Sequence, residues 1–254
     1  MSKLTRDTAT VFSREIAPEL RSPVSIVFAM GQPLLFLILF GSMLVGTGAN
    51  TGARTGDVWQ WFVPGILVMM CLMGPLSAGH SMLSELNGGQ LERFLVTPLS
   101  RTSIILGRTG KDTITLFVQT ILLIAIAIPL GMRFHLSGVL ATMVLLSVMA
   151  VGLSALSYAL AIASHPRGNL FWIVTQMLTF PIMLLSGILL PVGAGPGWLS
   201  AVAVINPITY IVDAARALFS GDFLDTSALH GLIAATAIAT LGLILSTRAM
   251  KRGL

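Results

Sequence analysis

Hydrophobic positions in this 254-residue chain fall into long continuous runs rather than into the alternating or one-faced patterns of soluble strands and helices. Six runs reach the ~20 helical residues that a ~30 Å hydrocarbon layer requires. They are 24–45, 62–83, 114–132, 138–163, 169–190 and 228–247. Pro33, Pro64, Pro75, Pro129 and Pro181 fall within them. A proline removes one helix N–H and crowds the carbonyl one turn back, which a membrane helix tolerates where its neighbours satisfy the freed group. The pattern predicts an all-α membrane protein, a kinked bundle of six transmembrane helices in one domain over 24–254.

The segments between the runs carry their own patterns. In 1–23, Phe12, Ile16 and Leu20 recur at i, i+4, i+8, with Lys3, Arg14 and Arg21 on roughly the opposite side. This predicts an N-terminal interfacial helix along the inner leaflet. Glu15 and Glu19 flank the stripe and Pro18 interrupts it, so a disordered basic tail is the competing reading. Residues 191–227 are too apolar for a solvated loop and too broken for a span, with Gly193, Gly195, Pro196 and Gly197 at one end and Asn206-Pro207 in the middle. Two readings stand: a re-entrant helical hairpin in the outer leaflet, or two helices lying flat on the outer surface. The longest charge-bearing interruption, 84–113, is an inner loop.

Composition fixes the class. Hydrophobic residues make up 55% of the chain and charged residues 10%, too few charges to cover a water-soluble surface. The net charge of +5 is spread between apolar spans, which favours a lipid-bilayer surface over nucleic acid. Arg54, Arg133 and Arg216 fall on one side of the spans and the remaining twelve Lys and Arg on the other. The basic side is the cytoplasmic one, so both termini are expected there and the chain is expected as a multi-pass protein of the cytoplasmic (inner) membrane. Residues 1–23 lack the apolar core of a cleavable signal peptide, so the first span is expected to act as its own insertion signal. Cys71 has no second cysteine to pair with.

Catalytic and metal-binding patterns are not found. Gly107-Arg108-Thr109-Gly110-Lys111-Asp112-Thr113 has the Gly-Lys of a phosphate loop, but the spacing is short and Asp112 stands where a magnesium-holding Ser or Thr is needed. His80, His135, His165 and His230 are scattered singly, without zinc-ligand spacing. No Gly-x-Ser-x-Gly elbow occurs. No catalytic residue, metal ligand or cofactor is therefore expected in this chain. Gln32, Gln119 and Gln176 lie within three separate spans. Amides at that depth either bond helices together or line a substrate route.

Six spans, a basic N-terminal stretch ending in Arg21-Ser22-Pro23, the inner motif Gly89-Gln90-Leu91-Glu92-Arg93-Phe94-Leu95-Val96-Thr97-Pro98-Leu99-Ser100-Arg101 and the outer motif Asn206-Pro207-Ile208-Thr209-Tyr210-Ile211-Val212-Asp213-Ala214-Ala215-Arg216 together resemble the type-2 ABC exporter permeases. The similarity runs over nearly the whole chain, with the daunorubicin-resistance-like drug exporters as the nearest branch. Related permeases export polysaccharides, teichoic acids or lipids, and that alternative stays open. The resemblance implies a permease subunit working as a pair, with a second copy or a paralogue, beneath two copies of a separate ABC ATPase. ATP and magnesium would be held by that ATPase. It also implies a coupling helix in the inner loop and an outer re-entrant hairpin.

The inner motif has a physical reading of its own. Leu91, Phe94 and Leu95 share one helical face as an apolar wedge, with Glu92 and Arg93 at its rim, while Thr97 is suited to cap the helix that starts at Pro98. The wedge fits a groove in a partner or packs on the chain's own interfacial helix. In the outer motif, Asp213 and Arg216 stand at i, i+3 and would brace the hairpin as an outer gate with Asn206, Pro207 and Tyr210. A secondary transporter is the rival from another class. It is disfavoured because no Asp, Glu, Lys or Arg lies near the middle of the six spans.

Overall fold

The computed structural model describes residues 3–47, 58–89, 101–166, 168–189 and 197–252. Among these the chain forms eleven helices and no strand. They are α1 (Lys3–Arg21), α2 (Pro23–Ala29), α3 (Gly31–Thr47), α4 (Val58–Ser77), α5 (Gly79–Asn87), α6 (Arg101–Ala127), α7 (Leu136–Ser164), α8 (Asn169–Leu185), α9 (Gly197–Ile205), α10 (Pro207–Phe219) and α11 (Thr226–Arg252).

Local chemistry sets the breaks. Pro33 has no N–H for the carbonyl of Ala29, and the chain turns at Met30 before Leu34 resumes the ladder by donating to Met30 O at 2.9 Å. The run 24–45 is therefore two helices, α2 and α3. The run 62–83 is likewise divided at Ala78, whose N–H donates to Pro75 O at 3.2 Å. Pro129 disfavours helical geometry at the residue before it, so α6 stops at Ala127 and the chain turns through Gly131 at φ 105° instead of continuing to 132. At its other end α6 begins at Arg101, so the later part of the inner segment, 101–113, is one continuous helix with the run expected from 114. Helix α8 ends at Leu185, short of 190, where Gly187 takes φ 75°, a left-handed conformation that suits glycine after a helix.

Both later helices begin on side-chain caps. Asn206 Oδ1 accepts from Ile208 N at 3.1 Å and opens α10, with Pro207 at the first helical position. Asp225 Oδ1 accepts from Ser227 N at 2.9 Å at the start of α11. The side-chain and backbone hydrogen bonds from Ser227 hold the exposed Asp225 carboxyl below its ordinary value.

Four helical stretches are long and apolar enough to cross a bilayer among the described residues: Val58–Asn87, which joins α4 and α5, Thr102–Ala127, Leu136–Ser164 and Thr226–Lys251. The pair α9 and α10, bent by 90° at Asn206, makes a fifth if it is counted as one span. Two shorter apolar stretches, Val27–Met43 across the α2–α3 break and Asn169–Leu185, complete the set. The protein is a multi-pass membrane protein, all-α over the described residues.

Helix α4 forms the centre. Every residue from Phe62 to Leu72 is buried, as expected of a helix that is hydrophobic on all sides. Cys71 is spent there as a packing residue whose thiol donates to Leu146 O at 3.2 Å. Helices α7 and α11 approach closely. A Cβ placed on Gly152 would lie 2.6 Å from Ala239 N, so the two backbones meet only because glycine is there. With lipid outside, such close packing replaces the hydrophobic drive that holds soluble helices together.

Candidate functional site

Three groups of polar residues stand out in this apolar frame. The first is a cavity of about 290 Å³ lined by Gln32 of α3, Gln119 of α6 and Gln176 of α8, with Ser77, Thr175 and Thr179. The three glutamines come from widely separated parts of the chain, and the fold brings them to one place. A role in bonding helices together requires amide bonds between them. None of the three amides is hydrogen-bonded among the described residues. Phe171 and Trp172 close one side of the cavity, and Trp172 also meets His80 at a ring separation of 4.8 Å. Gly74 faces the cavity with nothing within 4 Å of an added Cβ.

The second group fixes α10. Arg216, on α10, reaches past its own helix to the rest of the bundle. Its Nε donates to Trp61 O at 3.2 Å, and one terminal nitrogen donates to Gly187 O at 2.8 Å. The guanidinium carbon lies 3.8 Å above the Trp61 ring, an attraction to the negative face of the indole. Asp213 is the weaker partner, at 3.8 Å and with its side chain 55% exposed. The i, i+3 pair exists, but the backbone carbonyls after α8 and the start of α4 are the main partners of Arg216. Asn206 adds a second tie by donating to Ile182 O at 3.0 Å, and Tyr210 Oη donates to Val204 O at 2.8 Å across the bend. Gln60 of α4 donates to Phe219 O at 2.9 Å at the end of α10. Helix α10 is thus tied to α4 and to the end of α8, whereas Trp198, Val204 and Ile205 of α9 remain exposed.

The third group joins α1 to the bundle. Arg108, buried on α6, pairs with Glu15 of α1 at 3.3 Å and with Glu85 of α5. Lys111 pairs with Glu19 at 3.2 Å and with Asp112 at 3.0 Å. Thr115 donates to Glu19, and Tyr158 of α7 donates to Asp112 at 2.7 Å. The residues that looked like a broken phosphate loop hold α1 against α6 instead. Gly107 belongs to the same contact, since an added Cβ would lie 2.7 Å from Val11. Buried charges are stable only when paired in this way.

The motif residues Leu91, Glu92, Arg93, Phe94, Leu95, Thr97 and Pro98 lie outside the described residues. Their flanking helices, α5 and α6, are the two that the Arg108–Glu85 pair connects. Sequence reasoning did not find Gln60, Trp61 or the ionic cluster. The signal for the cluster was present: Glu15 and Glu19 at i, i+4 on one helix face Arg108, Lys111 and Thr115 at matching spacing on another.

Residues 6–220 match the family model described as ABC-2 type transporter. Among curated proteins, the chain is 28% identical to a putative transport permease, ycf38, of Cyanophora paradoxa, over 84% of this chain and 74% of that one. It is 25% identical to the daunorubicin resistance ABC transporter permease protein DrrB1 of Streptomyces coeruleorubidus, over 78% of this chain and 70% of the relative. Similarity to the probable doxorubicin resistance ABC transporter permease protein DrrC of Mycobacterium tuberculosis is 22% identity, over 79% and 72%.

Proposed function

This chain belongs to the ABC-2 type transporter family, and from that premise we propose that it is the permease of an ATP-driven exporter carrying an amphipathic, drug-like or lipidic substrate outward. Permeases of this family are transmembrane subunits, and their ATPase is a separate subunit. The proposed complex has two permease chains and two ATPase copies, which hold ATP and magnesium. On this reading the chain crosses the inner membrane six times, with the α2–α3 unit and α8 as the two shorter spans and both termini in the cytoplasm. Residues 91–98 form the contact with the ATPase, and the α9–α10 pair dips into the outer leaflet as the outer gate.

The observation that carries the substrate reading is the convergence of Gln32, Gln119 and Gln176 on one cavity with their amides unbonded. Amides that line a cavity without a bond inside the protein leave their donors and acceptors free to meet a solute. An amphipathic solute supplies such groups while its apolar part packs on Phe171, Trp172 and Met73. The cavity is small for a whole drug-sized molecule, which fits a route completed by the second permease.

The test is co-purification with the partner ATPase, followed by a screen for compounds that stimulate ATP hydrolysis in lipid vesicles. Stimulation that is lost in Gln119→Leu and in the cavity-filling Gly74→Leu, with the complex still assembled, supports the route. Undiminished stimulation in both variants contradicts it.

A further inference from the structure

A second, larger cavity has a different chemistry. It measures about 640 Å³ and runs between α8 on one side and α4, α7 and α11 on the other, ending beneath the bend at Asn206. Leu72, Leu153 and Ile238 form part of its floor, and Leu178, Leu241 and Ile205 stand half or more exposed at its mouth. Its polar members are Asn206, Ser157 and, beside Val174 at the start of the α8 wall, Thr175. Asn206 is already engaged with Ile182 O and Ile208 N, and at the far end Ser157 donates to Leu76 O and accepts from Gly79 N. The crevice is therefore dry along its length.

We propose that this crevice is a binding site for one acyl chain of a bilayer lipid, inserted from the side between α8 and the bundle. Length and an apolar lining select this occupant. The lining of α8 runs from Val174 to Leu185, which at ~1.5 Å per residue is about 17 Å. That is close to half of a ~30 Å hydrocarbon core, the depth of one leaflet. On the topology proposed above it is the outer leaflet. Water is excluded because the walls offer it little beyond the Thr175 hydroxyl, and a buried water needs about 2–4 polar partners. An unfilled gap is also unstable, since its lining forfeits dispersion contacts that a methylene chain restores.

The way α8 is held explains why the gap persists. At the hairpin end it is tied by Asn206 to Ile182 O and, just beyond its last turn, by Arg216 to Gly187 O. At its other end Phe171 is buried in a separate cluster with Met82 and Tyr158. Between these anchors no polar contact to α4, α7 or α11 draws α8 inward, and lipid tails compete evenly with leucine for its apolar face. Thr175 lines both this crevice and the glutamine cavity, so α8 is the wall between them. An acyl chain on one side fixes the width available on the other.

The site is tested on the full chain in vesicles that contain phosphatidylglycerol with a photoactivatable diazirine midway along one acyl chain. Cross-linked peptides are mapped by mass spectrometry. Labelling is expected to concentrate on the crevice walls over the lipid-facing side of α3 at Leu39, and to fall severalfold in Leu178→Trp and in Leu241→Trp, whose rings fill the mouth. Leu39→Trp serves as the control and leaves crevice labelling intact. Equal labelling of the α3 face and the crevice, unchanged by either filling variant, overturns the proposal in favour of ordinary surrounding lipid. Loss of labelling whenever permease chains are cross-linked as pairs assigns the space to a second copy. Displacement by a stoichiometric amphipathic drug assigns it to the transported solute, and either result overturns the lipid site. The labelling needs neither ATP nor the ATPase, so its failure is separate from failure of the export reading.

Discussion

Arg216 Nη2 and Gly187 O meet at 2.8 Å across 29 residues of chain, and this bond ties α10 to the end of α8. The residue makes this contact, the bond to Trp61 O and the stacking on the Trp61 ring at once. Arg216→Ala removes all three, and hydrogen bonds from a charged donor are each worth ~1.5–3 kcal/mol. A fall in thermal stability of the detergent-purified protein and a loss of export at equal expression are expected. Arg216→Lys should recover only a minor part, because an ammonium cannot reproduce the planar fork or the stacking. Asp213→Asn should change stability by under ~1 kcal/mol, since its carboxylate is 3.8 Å away and half in solvent. An Asp213 effect as large as that of Arg216 would return the i, i+3 pair to first place.

The glutamines separate structural from transport roles. Gln60 is bonded to Phe219 O, so Gln60→Leu should lower stability by about 1 kcal/mol and leave the glutamine cavity unaltered. Gln32 and Gln176 are exposed and unbonded, so changing either to Leu should leave thermal stability unchanged while reducing substrate-stimulated ATP hydrolysis. Thermal unfolding and hydrolysis assays on the same preparations distinguish the two groups.

The ionic cluster makes a prediction of opposite signs. Arg108→Ala leaves Glu15 and Glu85 facing one another without their cation, and breaking a buried pair costs ~3–5 kcal/mol. Replacing all three by Met, Leu and Gln of similar size should restore most of that loss. Protease cleavage between α1 and the bundle, measured over time, should accelerate in the single variant and return toward normal in the triple.

At the α7–α11 contact, Gly152→Val places side-chain atoms where Ala239 backbone now lies. Overpacking of this kind typically costs ~1–3 kcal/mol, and a rigid backbone neighbour puts the site at the upper end. Reduced yield of folded protein and a lower melting temperature are expected. Gly74→Ala, in open space on α4, should be neutral in the same measurement.

Much of this architecture was legible in the chain because apolar run length is a direct consequence of bilayer thickness. The runs 138–163 and 228–247 lie inside α7 and α11, and Asn206-Pro207 marks the 90° bend between α9 and α10. Proline effects were only half legible. Pro64 and Pro75 remain inside α4, whereas Pro33 marks a break and Pro129 an end, because tolerance depends on neighbours that sequence does not reveal. The long-range partners were hidden for the same reason. Nothing local says that Arg216 will reach Gly187, or that Glu19 will meet Lys111 across 92 residues. The glutamines were visible singly, but their meeting in one cavity is a property of the fold.

The central claim, that this permease moves its substrate only when a separate subunit hydrolyses ATP, is tested most directly by uptake of a fluorescent amphipathic drug into inside-out vesicles. Accumulation is expected only with permease, ATPase and ATP together, and is expected to be lost in Phe94→Ala with less ATPase co-purified, since a hot-spot side chain in the contact proposed for 91–98 is worth ~2 kcal/mol. Equal accumulation without the ATPase, driven by an ion gradient alone, would contradict it.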